Sequence, residues 1–407
     1  MPVNASDGFD SVNPFAPARL GPVTLRNRII KAATFEGVMP EALATPELIE
    51  YHRAVAAGGA GMSTVAYLAV APEGRTHAEC IWLRPDAVPG LRQLTEAIHA
   101  EGAAAAAQIG HAGPVANARS NKAASLAPSK RFNPLAMRVI RSATGADIAR
   151  ITDDYARAAR LAAESGFDAV EIHLGHNYLL SAFLSPNLNK RTDAWGGTLD
   201  NRARFGRQAV QAVRAAVSDK LAVTAKINMN DGVPGGLTDD ESLEFAQMLE
   251  ADGALDALEL TGGSSFANPM YLFRGDAPRE EFAATLPPHV RLGFKVAGAK
   301  LMPDYPFEEA YFLPKARKFL EALDMPLILL GGINRLDTVQ SALDEGFAFV
   351  AMARALLRQP DLPSRWQAGN ATAGNCIHCN RCMPTIYSGT RCALDHPEPL
   401  TVGRPII

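Results

Sequence analysis

The sequence lacks the features that mark nucleic-acid-binding and membrane proteins. Its 407 residues carry 40 Lys and Arg against 43 Asp and Glu, and the net charge of −3 includes no basic stripe that would neutralise a run of phosphates. No apolar run approaches the roughly 18 residues that span a bilayer. Residues 1–22 show no positive region followed by an apolar stretch, as a signal peptide would. We therefore expect no nucleic-acid partner, no membrane segment and a cytoplasmic location.

Cysteine is scarce and unevenly placed, because four of the five lie close together near the C-terminal end, at Cys376, Cys379, Cys382 and Cys392. This crowding is unlike a distributed disulfide framework and predicts a reducing compartment. The spacing C-x2-C-x2-C-x9-C is typical of thiolates that hold an iron–sulfur cluster or zinc. Four reduced thiols in a docked tail are the alternative, and Cys80 is interpreted as a packing residue.

Short apolar runs alternate with amphipathic stretches along the chain. The runs begin near Arg28, Gly61, Ala103, Phe167, Ala222, Leu255, Pro326 and Phe347. The stretches include residues 46–58, 85–102, 151–166, 201–218 and 238–253, and Asp200 is expected to start the fourth. Continuous apolar strands that alternate with helices are typical of a parallel sheet. Eight such units predict an α/β fold, a closed (β/α)8 TIM barrel over residues 1–370, with an open doubly wound sheet as the alternative.

Two long segments interrupt this alternation, residues 112–146 after the third strand and residues 262–304 after the sixth. Connections of this length without strong periodicity are usually functional loops. Both follow the carboxyl end of a strand, where barrel enzymes build their active sites. The remaining residues, 371–407, are predicted to form a cysteine-rich extension packed on the barrel.

Polar residues stand out at the predicted carboxyl ends of the strands, which meet at one mouth of a barrel. They are Thr34, Gln108, His111, His173, His176, Lys226, Asn228 and Arg354, and the glycines Gly331 and Gly332 follow the seventh strand. Glycines allow close approach of a backbone, and a helix N-terminus offers N–H groups to an anion. GGIN at residues 331–334, with Ala353 and Arg354 after the eighth strand, therefore predicts a phosphate site, although a simple turn explains the glycine pair equally well.

These motifs resemble the Old Yellow Enzyme family of NAD(P)H:flavin oxidoreductases, and also the N-terminal barrel of 2,4-dienoyl-CoA reductase. The likeness runs from LGPVTLRNRII at residues 20–30 to the cysteine cluster. Its most specific stretch is GFDAVEIHLGHNYLLSAFLSPNLNKRTDAWGGTLDNRARF at residues 166–205, supported by QIGHAG at residues 108–113. The resemblance implies a flavoprotein that binds FMN across the barrel mouth and takes electrons from NADH or NADPH.

The resemblance also implies roles for individual residues. The implied FMN-binding residues are Ala32, Ala33, Thr34, Gln108, Lys226, Gly331, Gly332, Ile333, Ala353 and Arg354. Gln108 matches the residue at the pyrimidine edge of the flavin, and Lys226 the cation near its N1 and O2. His173 and His176 match the pair that hydrogen-bonds the substrate's oxygen, and Tyr178 matches the proton donor.

The implied function is that of an ene-reductase, the reduction of an activated C=C bond in a small molecule such as an enone. Hydride passes from flavin N5 to the β-carbon while negative charge gathers on the substrate's oxygen. Two imidazole N–H groups aimed at that oxygen stabilise the transition state more than the ground state. Tyr178 then protonates the α-carbon, because an ordinary phenol, with a pKa of about 10, carries a proton at neutral pH.

Several positions depart from the commonest family pattern. Lys226 stands where many members carry Arg, Pro114 follows QIGHAG where Arg is frequent, and Phe35 stands where Thr or Cys is common. Larger relatives with a [4Fe–4S] cluster usually have three residues between the second and third cysteines, where this chain has two. Those relatives also continue into further nucleotide-binding domains, which this chain is expected to lack.

Other functions stay open at this stage. The same barrel and FMN would serve an amine dehydrogenase or demethylase, and a non-catalytic flavin-binding protein would keep the fold without turnover. His173 and His176 as ligands of a metal-dependent hydrolase fit less well, because no carboxylate cluster at other strand ends completes the site. Assembly into a homo-oligomer is compatible with the sequence.

Overall fold

A closed barrel of eight parallel strands forms the centre of the computed structural model, which describes residues 11–133, 138–265, 267–286, 288–386 and 388–398. The strands are β1 (Ile29–Phe35), β2 (Met62–Ala69), β3 (Ala104–Gly110), β4 (Ala169–Leu174), β5 (Ala222–Asn228), β6 (Ala257–Thr261), β7 (Leu327–Leu330) and β8 (Phe349–Met352). Each begins within about two residues of a predicted run, as expected of boundaries read from sequence.

The hydrogen-bond ladder closes on itself. Each strand pairs in parallel with the next along the chain, and β8 pairs in parallel with β1, so that Val350 lies opposite Ile29. This pairing removes the edge strands that an open sheet would expose. The predicted (β/α)8 barrel is therefore confirmed, and the open-sheet alternative is wrong.

A helix follows each strand and covers the outside of the barrel. These helices are α1 (Pro46–Ala57), α2 (Val88–Ala100), α3 (Gly145–Glu164), α4 (Leu199–Val217), α5 (Asp239–Ala251), α6 (Leu313–Ala322), α7 (Leu336–Asp344) and α8 (Arg354–Arg358). Two predicted starts are wrong. The N-cap of α4 is Thr198 rather than Asp200, and α3 begins at Gly145 rather than residue 151 because Thr144 and Asp147 form a capping box.

The barrel interior is layered. Alternate residues of a strand point inwards, and the layer nearest the amino ends of the strands is apolar, with Ala169, Ala222, Ala257 and Phe349 among its buried members. Further along the strands the inward positions become polar and charged. The buried polar side chains there are Gln108, Glu171, His173, Lys226, Asn228, Glu259 and Thr261. The apolar layer thus closes one end of the barrel, and the polar layer lies under the mouth.

The two long connections have secondary structure that their sequences did not reveal. The connection after β3 contains a small sheet of Leu126–Ala127, Arg131–Asn133 and Arg138–Ser142. The connection after β6 contains the helices Pro269–Leu272, Arg279–Thr285 and Pro288–Leu301. Short elements of this kind are stabilised by packing on the barrel rather than by a periodic sequence pattern. The two long connections lie where they were predicted, and only their short elements were not predicted.

Hydrogen bonds join the described part of the cysteine-rich extension to the barrel, among them contacts beside β7 and β1. Gly374 N donates to Asn334 O (2.7 Å), next to the turn after β7. Thr390 N donates to Glu36 O (2.7 Å) and Thr390 Oγ1 to Phe35 O (2.5 Å), at the carboxyl end of β1. No helix within the described ranges is long and apolar enough to cross a membrane.

Candidate active site

Two histidines and a tyrosine converge at the end of β4. The ring centroids of His173 and His176 lie 4.9 Å apart, and those of His173 and Tyr178 lie 4.5 Å apart. Tyr67, within β2, packs edge-on against Tyr178 at 5.3 Å and donates its own hydroxyl to Gly74 O. The structure thus brings the three predicted catalytic side chains into one aromatic group at the barrel mouth.

The backbone between these side chains is held in an unusual conformation. His176 and Asn177 both have positive φ, 58° and 59°, a region that non-glycine residues rarely adopt. Asn228 at the end of β5 compensates, because its Oδ1 accepts from His176 N (2.9 Å) while its Nδ2 donates to Asp231 Oδ1 and Gly263 O. The tight reversal returns the chain so that both imidazoles and the phenol line the same side of the mouth.

Thr261, at the end of β6, fixes the ring of His176. Its hydroxyl lies 3.1 Å from His176 Nε2, and the residue is fully buried. Thr261 was not predicted as a site residue, since a threonine at the end of an apolar strand carries no motif. Its position after a strand end was the one signal that would have found it.

Both imidazoles are neutral near pH 7. Burial, reinforced by the positive charge of Lys226, lowers the pKa of His176 to about 3. Burial, the neighbouring His176 and Lys226 together lower the pKa of His173 well below its usual range. A neutral imidazole has one N–H donor and one acceptor nitrogen, and the Thr261 hydroxyl, which can donate or accept, holds the His176 ring through Nε2.

These shifted pKa values predict that the protein loses stability in acid. The unfolded chain takes up protons on its histidines below pH of about 6.5, whereas folded His176 stays neutral until about pH 3. Because the unfolded state then binds more protons, the free energy of unfolding falls as the pH drops through this window, by about 1–2 kcal/mol at pH 5 from this residue. Urea unfolding from pH 7 to pH 4 measures the loss, and His176→Asn is expected to make it shallower. Parallel curves for the two proteins would contradict the assignment.

A buried charge cluster lies beneath the histidines. Lys226 Nζ lies 3.1 Å from Glu171 Oε1 and 2.9 Å from Glu259 Oε1, although the contact with Glu259 lacks the alignment of a hydrogen bond. Gln108 Nε2 donates to Glu171 Oε1 (2.6 Å). Burial alone would lower the pKa of Lys226, but the two carboxylates outweigh it and raise that pKa. Lys226 is therefore a permanent cation at the centre of the mouth.

Glu259 carries the proton that balances this cluster. Burial, and the negative charge of Glu171 beside it, raise the pKa of Glu259 to about 8. A proton on Glu259 removes the repulsion between two buried carboxylates beside the single cation of Lys226. Neither glutamate was predicted as part of the site, because each lies inside an apolar strand and the pairing of β4, β5 and β6 is what brings them to Lys226.

The turn after β7 contains two glycines whose backbone other groups can approach closely. Gly331 and Gly332 have φ of 117° and 77°, and a Cβ on either would lie within 2.6 Å of the rings of Phe312 or Tyr311. The start of α7, which was predicted to offer free N–H groups to an anion, differs from that prediction. Asn334 N and Arg335 N donate to Glu309 Oε1 (2.6 and 3.0 Å), so these amides are not open to a phosphate. The anion-binding prediction is thereby narrowed to the glycines, Ile333 and the residues after β8.

The predicted residues of β1 and β8 lie on opposite sides of the same junction, where β8 pairs with β1. Ala32 is buried, Ala33 is partly buried, and Thr34 Oγ1 donates to Glu36 Oε1 (2.6 Å). Ala353 precedes α8, and Arg354 Nη1 donates to Arg274 O (2.9 Å) and to Asn380 Oδ1. The guanidinium of Arg354 is thus held by the loop after β6 and by the cysteine-rich extension.

The four clustered cysteines line one small cavity together with Arg354 and Arg358. All four are free thiols, and burial raises the pKa of Cys382 to about 12. In the described part of the chain, no three His, Cys, Asp or Glu side chains are grouped closely enough to hold a metal ion. The structure brings the cysteines to one cavity without arranging them as ligands.

The mouth as a whole suits FMN. A buried cation at Lys226 matches the negative charge of a reduced flavin. The turn at Gly331 and Gly332 tolerates no side chain, and Arg354 supplies a guanidinium on the neighbouring strand end. His173 Nδ1 is buried without a hydrogen-bond partner, as expected for a group that pairs with a bound molecule.

Comparison with known proteins identifies the family. Residues 13–259 match the NADH:flavin oxidoreductase / NADH oxidase family. The chain is 60% identical over 380 residues to 4,4'-dithiodibutanoate disulfide reductase of Rhodococcus erythropolis, covering 93% of this chain and 94% of that protein. It is 33% identical over 376 residues to the metal reductase of Desulforamulus reducens, covering 92% of this chain but 52% of that protein, so it spans about half the relative's length.

A solved structure agrees in fold. The old yellow enzyme homologue from Zymomonas mobilis superposes with a TM-score of 0.72 at 23% identity, over 96% of this chain and all of that one. Fold, motifs and family match therefore lead to one conclusion: the chain belongs to the NADH:flavin oxidoreductase / NADH oxidase family, the Old Yellow Enzyme family, and is an oxidoreductase of that flavin-dependent kind.

Proposed function

We propose that the protein is an FMN-dependent NAD(P)H oxidoreductase that reduces an activated C=C bond in the space between His173, His176 and Tyr178. The observation that carries this proposal is the convergence of two neutral imidazoles and a phenol within 5 Å ring-to-ring distances, over a buried cation. Reduction of an alkene needs both a hydride and a proton. This group of side chains is suited to supply the proton and to stabilise the charge that forms.

FMN, when bound, would accept hydride from NADH or NADPH and return it to the substrate. Lys226 would supply the cation that stabilises the reduced flavin, and Gln108 is positioned next to Lys226 through Glu171. Gly331, Gly332, Ile333, Ala353 and Arg354 would hold the phosphate, while Ala32, Ala33 and Thr34 would contact the ring. The chain's own residues thus bind and orient the cofactor from five strand ends.

His173 and His176 act on the substrate's oxygen in this proposal. Because both rings are neutral, each donates one N–H without bringing a net charge into the mouth. Donors placed in advance towards a developing negative charge stabilise it without reorganisation, and one such donor is worth about 10²–10³ in rate. Tyr178 supplies the proton to the substrate carbon.

Disulfide reduction is the second candidate, and it is favoured by one specific observation. The relative that is 60% identical over 94% of its own length is named a 4,4'-dithiodibutanoate disulfide reductase. Hydride attack on one sulfur of a disulfide expels the other as a thiolate, which leaves as an anion because thiols have pKa values of about 8.5. This reaction uses the same flavin but depends less on the phenol.

A paired assay separates the candidates. In two parallel assays the purified protein is supplied with NADPH or NADH together with either 2-cyclohexenone or 4,4'-dithiodibutanoate. In a third assay it is supplied with an N-methyl amine and an electron acceptor, without the nicotinamide. We expect a yellow protein with absorbance near 370 and 450 nm that oxidises the nicotinamide with the first or second substrate. Turnover of the amine alone would support the dehydrogenase alternative. A folded protein that is colourless and does not bind added FMN would refute the proposal.

Thr261→Val tests the orientation of His176. Valine keeps the shape of threonine but removes the hydroxyl that hydrogen-bonds Nε2 of His176 and holds its ring, so we expect kcat to fall by about tenfold for an alkene while binding of NADPH is unchanged. Thr261→Ser keeps the hydroxyl and serves as the matched control. The ring ¹⁵N chemical shifts of labelled His176 report the tautomer directly. Unchanged shifts in Thr261→Val would contradict this role.

We also propose that Cys376, Cys379, Cys382 and Cys392 hold a metal-containing group, a [4Fe–4S] cluster or zinc. Their common cavity and the nearby cations Arg354 and Arg358 support this, since guanidinium groups offset the charge of bound thiolates. Because burial raises the pKa of Cys382, binding must release its proton. Iron, sulfide and zinc analysis of anaerobically purified protein tests this. The absence of all three in folded protein would favour four reduced thiols.

A further inference from the structure

The cysteine-rich extension contributes a side chain to the FMN-binding mouth. We infer that Asn380 is a positioning residue that holds Arg354 towards the FMN phosphate, and this inference rests on the proposed FMN site. Asn380 lies between Cys379 and Cys382, far along the chain from the barrel strands. It is 1% exposed, and its φ of 55° places its backbone in the left-handed region.

The carboxamide of Asn380 joins three segments that are distant in sequence. Its Oδ1 accepts from Arg354 Nη1 at the start of α8. Its Nδ2 donates to Phe273 O (2.5 Å) and to Asp276 O (3.0 Å) in the loop after β6. A buried amide with all of its roles fulfilled fixes the groups around it, because losing one partner leaves another buried polar group unpaired.

Neighbouring contacts hold Asn380 in this place. Asp276 N donates to His378 O (3.2 Å), and the His378 ring stacks on Phe307 with centroids 3.5 Å apart and planes 7° apart. A Cβ added to Gly275 would lie 2.0 Å from His378 O, so the two segments touch along their backbones. The extension is therefore held against the loop after β6 at His378, two residues before Asn380.

Arg354 has its direction set by these contacts. Its Nη1 donates to both Asn380 Oδ1 and Arg274 O. The guanidinium also lies beside the Tyr311 phenol, and a Cβ on Gly332 would be 2.6 Å from the Tyr311 ring. One nitrogen of the Arg354 guanidinium thus donates to Asn380, and the guanidinium lies next to the turn at Gly331 and Gly332. A guanidinium held in this way loses less conformational entropy when it binds a phosphate.

Comparing FMN with riboflavin isolates the phosphate contact, because the two differ only by that group. Apoprotein of the full chain is titrated with each flavin, and its fluorescence quenching gives Kd. We expect Asn380→Gly, which tolerates the positive φ, to weaken FMN binding by about tenfold, or about 1.4 kcal/mol, with riboflavin affinity within about twofold of wild type. Arg354→Gln should show a larger phosphate-specific loss, and the double variant should bind FMN no more weakly than Arg354→Gln alone.

The outcomes separate this inference from the proposed site. If wild type does not prefer FMN over riboflavin, the phosphate site itself is wrong. If Arg354→Gln abolishes the preference and Asn380→Gly retains it, only the role of Asn380 is wrong. An equal loss for both flavins would also overturn that role, since it indicates general loosening.

A second variant keeps the test decisive if Asn380→Gly fails to fold. Asn380→Asp retains an oxygen acceptor for Arg354 but loses both donors to the loop after β6. We expect its preference for FMN over riboflavin to stay within about threefold of wild type, as one retained charge-assisted contact allows. A complete loss of that preference would show that the loop contacts matter instead, and would overturn the assignment to Arg354.

Discussion

Replacing Tyr178 with phenylalanine is expected to lower the rate of alkene reduction by about 10²–10⁴, the usual contribution of a general acid. The ring and its edge-on contacts with His173 and Tyr67 stay in place, so the loss reports the proton rather than the packing. Stopped-flow measurement of flavin reoxidation by 2-cyclohexenone isolates this step from the reaction with NADPH. With 4,4'-dithiodibutanoate the loss should be far smaller, because the leaving thiolate needs no proton to depart.

The matched control for this variant is Tyr67→Phe. It removes a hydroxyl that donates to Gly74 O beside the site, which should cost about 1 kcal/mol of stability and change reoxidation by less than about tenfold. Equal losses for alkene and disulfide in Tyr178→Phe would mean that the phenol acts through structure. An unchanged alkene rate would remove Tyr178 from the mechanism.

Replacing Lys226 with methionine is expected to lower the free energy of unfolding by about 3–5 kcal/mol at pH 8, because it leaves Glu171 buried without its cation. The loss of stability is expected to depend on pH. Without Lys226, the folded protein must keep protons on both glutamates that the unfolded chain releases. Since the folded state then binds more protons, its stability falls as pH rises, and the deficit should be largest at pH 8 and smallest near pH 5.

Two further variants distinguish charge from packing in this cluster. Lys226→Arg keeps the cation and should lose less stability at pH 8 than Lys226→Met. The double variant of Lys226→Met with Glu171→Gln removes the stranded charge, so it should recover much of the loss and most of its pH dependence. Urea unfolding of all three at pH 5, 6.5 and 8 makes the comparison. A deficit that is the same at every pH would show that the cavity, not the unpaired carboxylate, causes it.

Local sequence patterns predicted the barrel well and its loops poorly. Strands β1 to β8 were all located, because a buried parallel strand is a continuous apolar run and its helix has a regular apolar face. The helices after β6, such as Arg279–Thr285, were missed because they are short and depend on contacts with the barrel. The start of α3 was misplaced since its capping box, Thr144 with Asp147, precedes the amphipathic pattern.

What the sequence by itself determined is the alternation of strands and helices, and the motif around His173, His176 and Tyr178 that carries the family resemblance. These are properties of contiguous residues, so they can be read without a fold. Only the tertiary structure decided that Glu171 and Glu259 share Lys226, that Thr261 fixes His176, and that Asn380 reaches Arg354. Each of these contacts joins strands or segments far apart in the chain, and the pairing of β4, β5 and β6 and the docking of the extension are what bring them within hydrogen-bond distance.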